Sequence, residues 1–190
     1  MQTTELDRAF HSTLEVLEKV KPQDLDAPTP CASWDVRALV SHFIVTGRWW
    51  AAMATGADAP DDAGYPAEDM AAGDLVAAYQ ESIRIASAAF DTDGVREKTI
   101  QLPFGAFSGA VVLRMAALDQ FTHGWDLARA IGQPTDLDPG LSRELLAHAR
   151  LAISEAFRGN DGQAAFGPAA EAPPGAGPAD QLAAFLGRRV

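Results

Sequence analysis

The chain has 190 residues, 26 of them acidic against 15 basic, a formal net charge of −11 at pH 7 and 47% hydrophobic content. That length and apolar content fit one folded domain over residues 1–190 rather than a disordered tail, and a field of that sign repels phosphate backbones and anionic headgroups, so nucleic acid and membrane are not expected partners. The lone cysteine, Cys31, cannot form an internal disulfide, the N-terminal stretch lacks the basic and apolar blocks of a leader, and no run approaches the roughly 18 apolar residues of a membrane span; a soluble, cytoplasmic protein is expected.

Leu6, Phe10, Leu14 and Leu17 recur at helical spacing behind Thr3 and Thr4, predicting a first helix over about residues 4–20 that Pro22 stops. The loop PQDLDAPTPCASW leads to Ser33, a candidate N-cap for a second helix that carries Val36, Leu39, Val40, Phe43, Ile44 and Trp50 and ends near Gly56. The next stretch, GADAPDDAGYPAEDMAAG, is long for a loop inside a compact domain, and its eighteen residues, extended, reach on the order of 60 Å, enough for a crossover. A third helix is predicted over about 74–90, where Leu75, Ala78, Tyr79, Ile83, Ala86 and Phe90 keep a helical period. KTIQLPFGAFSG has strand-like content broken by Pro103 and two glycines, which predicts a short extended piece rather than a sheet.

Ser108 then caps a fourth helix running to Ile131, with Gly132 and Pro134 as its stop. A fifth is predicted over about 138–157, with Leu141, Leu145, His148, Leu151 and Ile153 on or near one side, and a Pro/Gly/Ala-rich loop leads to a short helix at about 180–186. Long helices with little strand imply an all-α fold, a four-helix bundle with additional C-terminal helices. If the long loop crosses over, helices 2 and 3 run parallel and helices 2 and 4 antiparallel, an up-down-down-up arrangement.

Within LDQFTHGWDLARA (118–130), Asp119 and His123 are four positions apart and therefore point the same way, one turn from each other, in an otherwise apolar helix. His42, beside Leu39, Val40 and Phe43, faces the interior from helix 2. His42 lies roughly 12 Å from the start of helix 2, and His123 and Asp119 roughly 12 and 18 Å from the end of helix 4, so antiparallel packing makes the levels coincide. Two imidazoles and one carboxylate form a three-ligand set with a coordination position to spare, a pattern that signals catalysis more than scaffolding; Zn²⁺ suits it best, and Ni²⁺ and Fe²⁺ also accept it. The same spacing also fits a metal-free arrangement in which Asp119 and His123 pair with each other or with Arg48 or Arg114 and His42 is an ordinary core histidine.

Three segments carry a family likeness: TPCASWDVRALVSHFIVTGRWW (29–50), LPFGAFSGAVVLRMAALDQFTHGWDLARAIG (102–132) and FGPAAEAPPGAGPADQLAAFLGRRV (166–190). Together they resemble the DinB/YfiT-like, metal-binding bundle of mycothiol-dependent maleylpyruvate isomerase, in a single-domain, actinobacterial-type form. The resemblance implies a four-helix bundle holding a divalent metal, usually zinc, at the positions of His42, Asp119 and His123, and chemistry with a low-molecular-weight thiol such as mycothiol on a small electrophile. The isomerases carry Glu where this chain has Asp119, one methylene shorter, so the backbone must approach closer or the carboxylate bind through water. Their separate C-terminal domain is replaced by the short tail, which argues against maleylpyruvate itself as substrate.

Around this set, Asp126 falls three residues after His123 and could accept its second ring N–H, although pairing with Arg129 is the favoured alternative. Cys31 precedes helix 2 at the end of the bundle nearest the set; it reads as a small buried residue of the capping loop, with ligand or nucleophile as the functional alternative. Arg48 offers a donor fork for an anionic ligand, while Trp125 reads as core or rim packing. Trp49, Trp50, His11 and His148 read as packing residues. The reading is a metal-dependent thiol S-transferase or isomerase; the alternatives are a non-catalytic metal- or small-ligand-binding stress-response bundle and a structural bundle. A homodimer is a possible assembly.

Overall fold

A computed structural model describes residues 4–58, 70–160 and 164–190. Four long helices form the bundle: α1 (Glu5–Leu17), α2 (Val36–Thr55), α3 (Leu75–Phe90) and α4 (Gly109–Ala130). A hairpin of β1 (Thr99–Leu102) and β2 (Gly105–Ser108) lies between α3 and α4, and α5 (Pro139–Ala152) and α6 (Pro178–Phe185) follow the bundle. Among the described residues no helix is long and apolar enough to cross a membrane.

The starts of α1, α2, α3 and α5 are set by short acceptors that satisfy first-turn N–H groups, whereas Ser108 stands at the start of α4 without a side-chain cap bond. Thr4 and Asp7 form a reciprocal capping box on α1, and the carboxylates of Asp35, Asp74 and Asp138 accept from the N–H groups of Ala38, Ala77 and Leu141. The cap of α2 is thus Asp35 rather than Ser33, a shift of two residues. Gly56 ends that helix in the left-handed region at φ 75°, where a Cβ would be strained.

Contacts along the helices fix their directions. Glu5 meets Arg114 and Thr13 meets Gln120, so α1 and α4 run parallel. Tyr79 packs on Phe43 and Ser82 donates to Ile44 O, so α2 and α3 also run parallel, while Thr46 and His42 face Gln120 and His123, making α2 and α4 antiparallel. This is the expected up-down-down-up bundle. Most of the crossover stretch that this order requires lies outside the described residues.

Two further local expectations are corrected. The segment after α3 is a true antiparallel hairpin, pairing Thr99 with Ser108 through to Leu102 with Gly105; Pro103 falls in the turn, where its missing N–H costs no ladder bond, and Ile100 and Leu102 are buried. The fifth helix stops at Ala152, short of Phe157. Leu151, counted in its apolar period, is 89% exposed, so the helix has run past its burying surface. Beyond it Arg158 ties the chain to α6, donating to Gly167 O and Phe185 O at 2.9 Å each.

Gly124 allows a close approach of α1 to α4: a Cβ there would clash with the Thr13 side chain and lie 3.2 Å from Thr13 Cα. The Thr13 backbone cannot yield as a flexible side chain would. Gly124→Ala is therefore expected to destabilise the protein by about 1–3 kcal/mol, read as a lowered urea midpoint at unchanged slope. An unchanged midpoint would contradict the tight helix pairing.

Candidate metal centre

The antiparallel crossing of α2 and α4 brings His42, Asp119 and His123 together, one ligand atom from each lying within 4.8 Å of the others. Asp119 Oδ1 is 3.6 Å from His123 Nε2 and 4.0 Å from His42 Nε2. A tetrahedral ion with bonds of about 2.0–2.1 Å holds its ligand atoms about 3.4 Å apart, so modest contraction suffices. The backbone approach thus brings the shorter Asp119 to within 4.0 Å of both imidazoles. The histidines are buried and Asp119 is partly exposed, with 21% of its side chain accessible, which leaves the set open on the carboxylate side.

The two oxygens of Asp119 have separate surroundings. Oδ2 accepts from Trp50 Nε1 at 3.3 Å and Gln120 Nε2 at 3.1 Å, while Oδ1 faces the histidines. Gln120 is itself held: it is fully buried, its Nε2 also donates to Phe43 O and Thr46 Oγ1, and its Oε1 accepts from Tyr79 at 2.9 Å. On the α2 side Trp34 stacks against His42 with ring centroids 4.3 Å apart and lies 5.7 Å from His123. These contacts restrict both the carboxylate and the rings, as a metal site requires of the groups around its ligands.

His123 works in two directions. Its Nε2 turns to Asp119, and its Nδ1 lies 3.1 Å from Asp126 Oδ2. Asp126 is completely buried and engages Arg188, not Arg129 as expected, with Nε to Oδ1 at 3.2 Å and Nη2 to Oδ2 at 3.0 Å. Cys31 Sγ is 3.3 Å from Asp126 Oδ2. Rather than sitting buried in its loop, Cys31 is partly exposed at the edge of the cluster. Cys31, His123 and Asp126 form a second donor group, but the Arg188 cation already sits on that carboxylate, which disfavours another cation there.

The chain matches the family described as mycothiol maleylpyruvate isomerase N-terminal domain over residues 6–128. It belongs to that family. Over 187 residues it is 37% identical to the uncharacterized proteins MT0763 and Rv0738 of Mycobacterium tuberculosis, from strains CDC 1551 / Oshkosh and ATCC 25618 / H37Rv, with 96% of this chain and 95% of each relative covered. No solved structure matches the chain significantly. The family segment contains all three residues of the candidate set, whereas Arg188 lies beyond it.

The remaining sequence-selected residues fall elsewhere. Trp125 is buried and donates to Asp180 at 2.8 Å, joining α4 to α6. Arg48 lines a groove between the C-terminal halves of α2 and α3 with Ala51, Thr55 and Ile85, about a third of a turn around α2 from His42. His11 pairs with Glu15 on the surface, and His148 lies near Glu5. Sequence reasoning missed Trp34, Gln120 and Arg188. Gln120 had a signal, an amide within the apolar stripe of Ala116, Ala117, Phe121 and Gly124, but Arg188 is one of two adjacent arginines that nothing local distinguishes.

Burial opposes a charge on His123, but hydrogen bonds to Asp126 and Cys31 and the field of Asp119 outweigh it and push its pKa up to about 10. Burial likewise opposes ionisation of Asp126, yet Arg188 and then His123 draw it well below the ordinary carboxylate range. Metal-free His123 is thus protonated at neutral pH, and that proton competes with an ion for Nε2. Raising the pH from 7 to 9 removes this competition progressively, so apparent Zn²⁺ affinity is expected to rise by about tenfold per unit. Calorimetry in buffers of different ionisation enthalpy should find about one proton released per ion from this residue. A flat affinity over that range would contradict the assignment of His123.

Proposed function

We propose that residues 1–190 act as a single metal-binding bundle domain that holds one divalent ion, zinc by preference, through His42 Nε2, Asp119 Oδ1 and His123 Nε2. The protein is proposed to be a thiol S-transferase or isomerase that joins a low-molecular-weight thiol of the mycothiol type to a small electrophile. The observation that carries the reading is the convergence of two imidazoles and one carboxylate from two helices, open on the Asp119 side. A bound divalent ion supplies Lewis acidity that favours the thiolate form of a thiol at neutral pH.

The chain's own residues account for the rest. Gln120 and Trp50 hold Asp119 Oδ2, which aims Oδ1 at the histidines. Asp126 accepts from His123 Nδ1 and leaves Nε2 as the ligand nitrogen. Trp34 covers the imidazoles and limits water on that side. Because Arg188 offsets the charge of Asp126, Asp119 would be the one anion to set against a divalent ion held with two neutral imidazoles, leaving a net positive charge suited to an anionic sulfur.

A second reading is metal holding without turnover, because the same three ligands also suit an ion that is kept and not used. Elemental analysis and a thiol-consumption assay separate the readings. Purified wild type is expected to carry about one divalent ion per chain, and His42→Ala or His123→Ala to lower metal affinity by more than about tenfold. Metal-dependent consumption of a small thiol with an electrophile supports the enzyme; bound metal without consumption across several electrophiles supports holding; wild type without metal defeats the enzyme and metal holding alike.

A further inference from the structure

Arg188 follows α6 in the C-terminal tail, 62 positions after Asp126. Its side chain is only 13% exposed and grips a carboxylate that has no exposure at all. Both oxygens of Asp126 are engaged, Oδ1 by Nε and Oδ2 by Nη2. The guanidinium is anchored on two further sides, donating from Nη1 to Leu186 O at 3.3 Å and lying 3.6 Å from Cys31 Sγ through Nη2. A planar two-point fork fixes the plane of a carboxylate as well as offsetting its charge, which the single ammonium of lysine does not. With that plane fixed, Asp126 Oδ2 stays opposite His123 Nδ1, and the ring cannot turn without losing a buried hydrogen bond.

We propose that Arg188 is a positioning residue for the metal centre: the tail returns to the bundle and, through Asp126, sets the orientation of His123. The inference rests on the proposed ligand set of His42, Asp119 and His123. It assigns to a residue outside the family segment a part in shaping the site that the segment contains. The tail has other anchors in the Trp125–Asp180 hydrogen bond, the Thr135–Asp180 hydrogen bond and the Arg158 contacts, so loss of Arg188 leaves α6 tied to the bundle.

The test measures Zn²⁺ affinity of the full chain by competition with a chromophoric chelator. The proteins compared are wild type, Arg188→Ala, Arg188→Lys, Asp126→Asn and the double variant of Asp126→Asn with Arg188→Ala. Arg188→Ala is expected to weaken binding by about 10–100-fold and Arg188→Lys to recover only part of the loss. The double variant should bind no more weakly than Asp126→Asn alone, because the effect of Arg188 passes through Asp126. Helical circular dichroism and the unfolding midpoint are followed in parallel. A lowered midpoint with Zn²⁺ affinity equal to wild type, or losses that add in the double variant, would overturn the proposal. Should Arg188→Ala not fold, Arg188→Lys decides, and wild-type affinity there overturns it. Wild type that binds no Zn²⁺ sinks the metal reading itself and this inference with it; bound Zn²⁺ that is indifferent to Arg188 sinks the inference alone.

Discussion

The Gln120 amide spans the crossing of α2 and α4, donating to Phe43 O and Thr46 Oγ1 while its oxygen accepts from Tyr79 on α3. A buried primary amide left without partners costs about 1–3 kcal/mol per unmet group, so sliding either helix by a turn is strongly disfavoured. That register places His42 level with Asp119 and His123. The same Nε2 touches Asp119 Oδ2, so the group that fixes helix register also fixes carboxylate orientation. Position and direction of the candidate ligands therefore share one origin.

Around that crossing, the two carboxylates are held by different partners. Asp126 is offset by Arg188 and supported by His123, which makes its burial tolerable. Asp119 has hydrogen bonds on one oxygen and faces imidazoles with the other. Its closeness to two histidines lets all three side chains face one point between the helices. The ordinary packing of the bundle serves this arrangement: Gly124 brings α1 against α4, and Trp125 joins α4 to the helix that leads back to Arg188.

Much of this was legible in the sequence because it is periodic. Apolar residues at helical spacing gave the four helices, the reach of the long loop after helix 2 allowed α2 and α4 to run antiparallel, and the spacing of Asp119 and His123, matched in depth to His42, pointed to one cluster. The hairpin was harder to read because Pro103 and its glycines look like breakers until the turn is seen to absorb them. The end of α5 was misread because periodicity reports apolar spacing, not whether a neighbour is present to cover Leu151. Asp126 was assigned to Arg129 by local spacing, whereas Arg188 reaches it from the tail; no local pattern encodes a contact made by the chain returning on itself. Trp34 escaped notice for a similar reason, since its value lies in the rings it meets across the loop.

The central claim is that a divalent ion sits among two imidazoles and one carboxylate, and not in the neighbouring group that includes Cys31. X-ray absorption at the zinc edge of the loaded protein tests it directly. The account predicts two nitrogen scatterers with the multiple-scattering signature of imidazole and a carboxylate oxygen, all at about 2.0–2.2 Å, with no protein sulfur shell. A sulfur scatterer at about 2.3 Å in protein free of added thiol would place the ion at Cys31 and contradict the account.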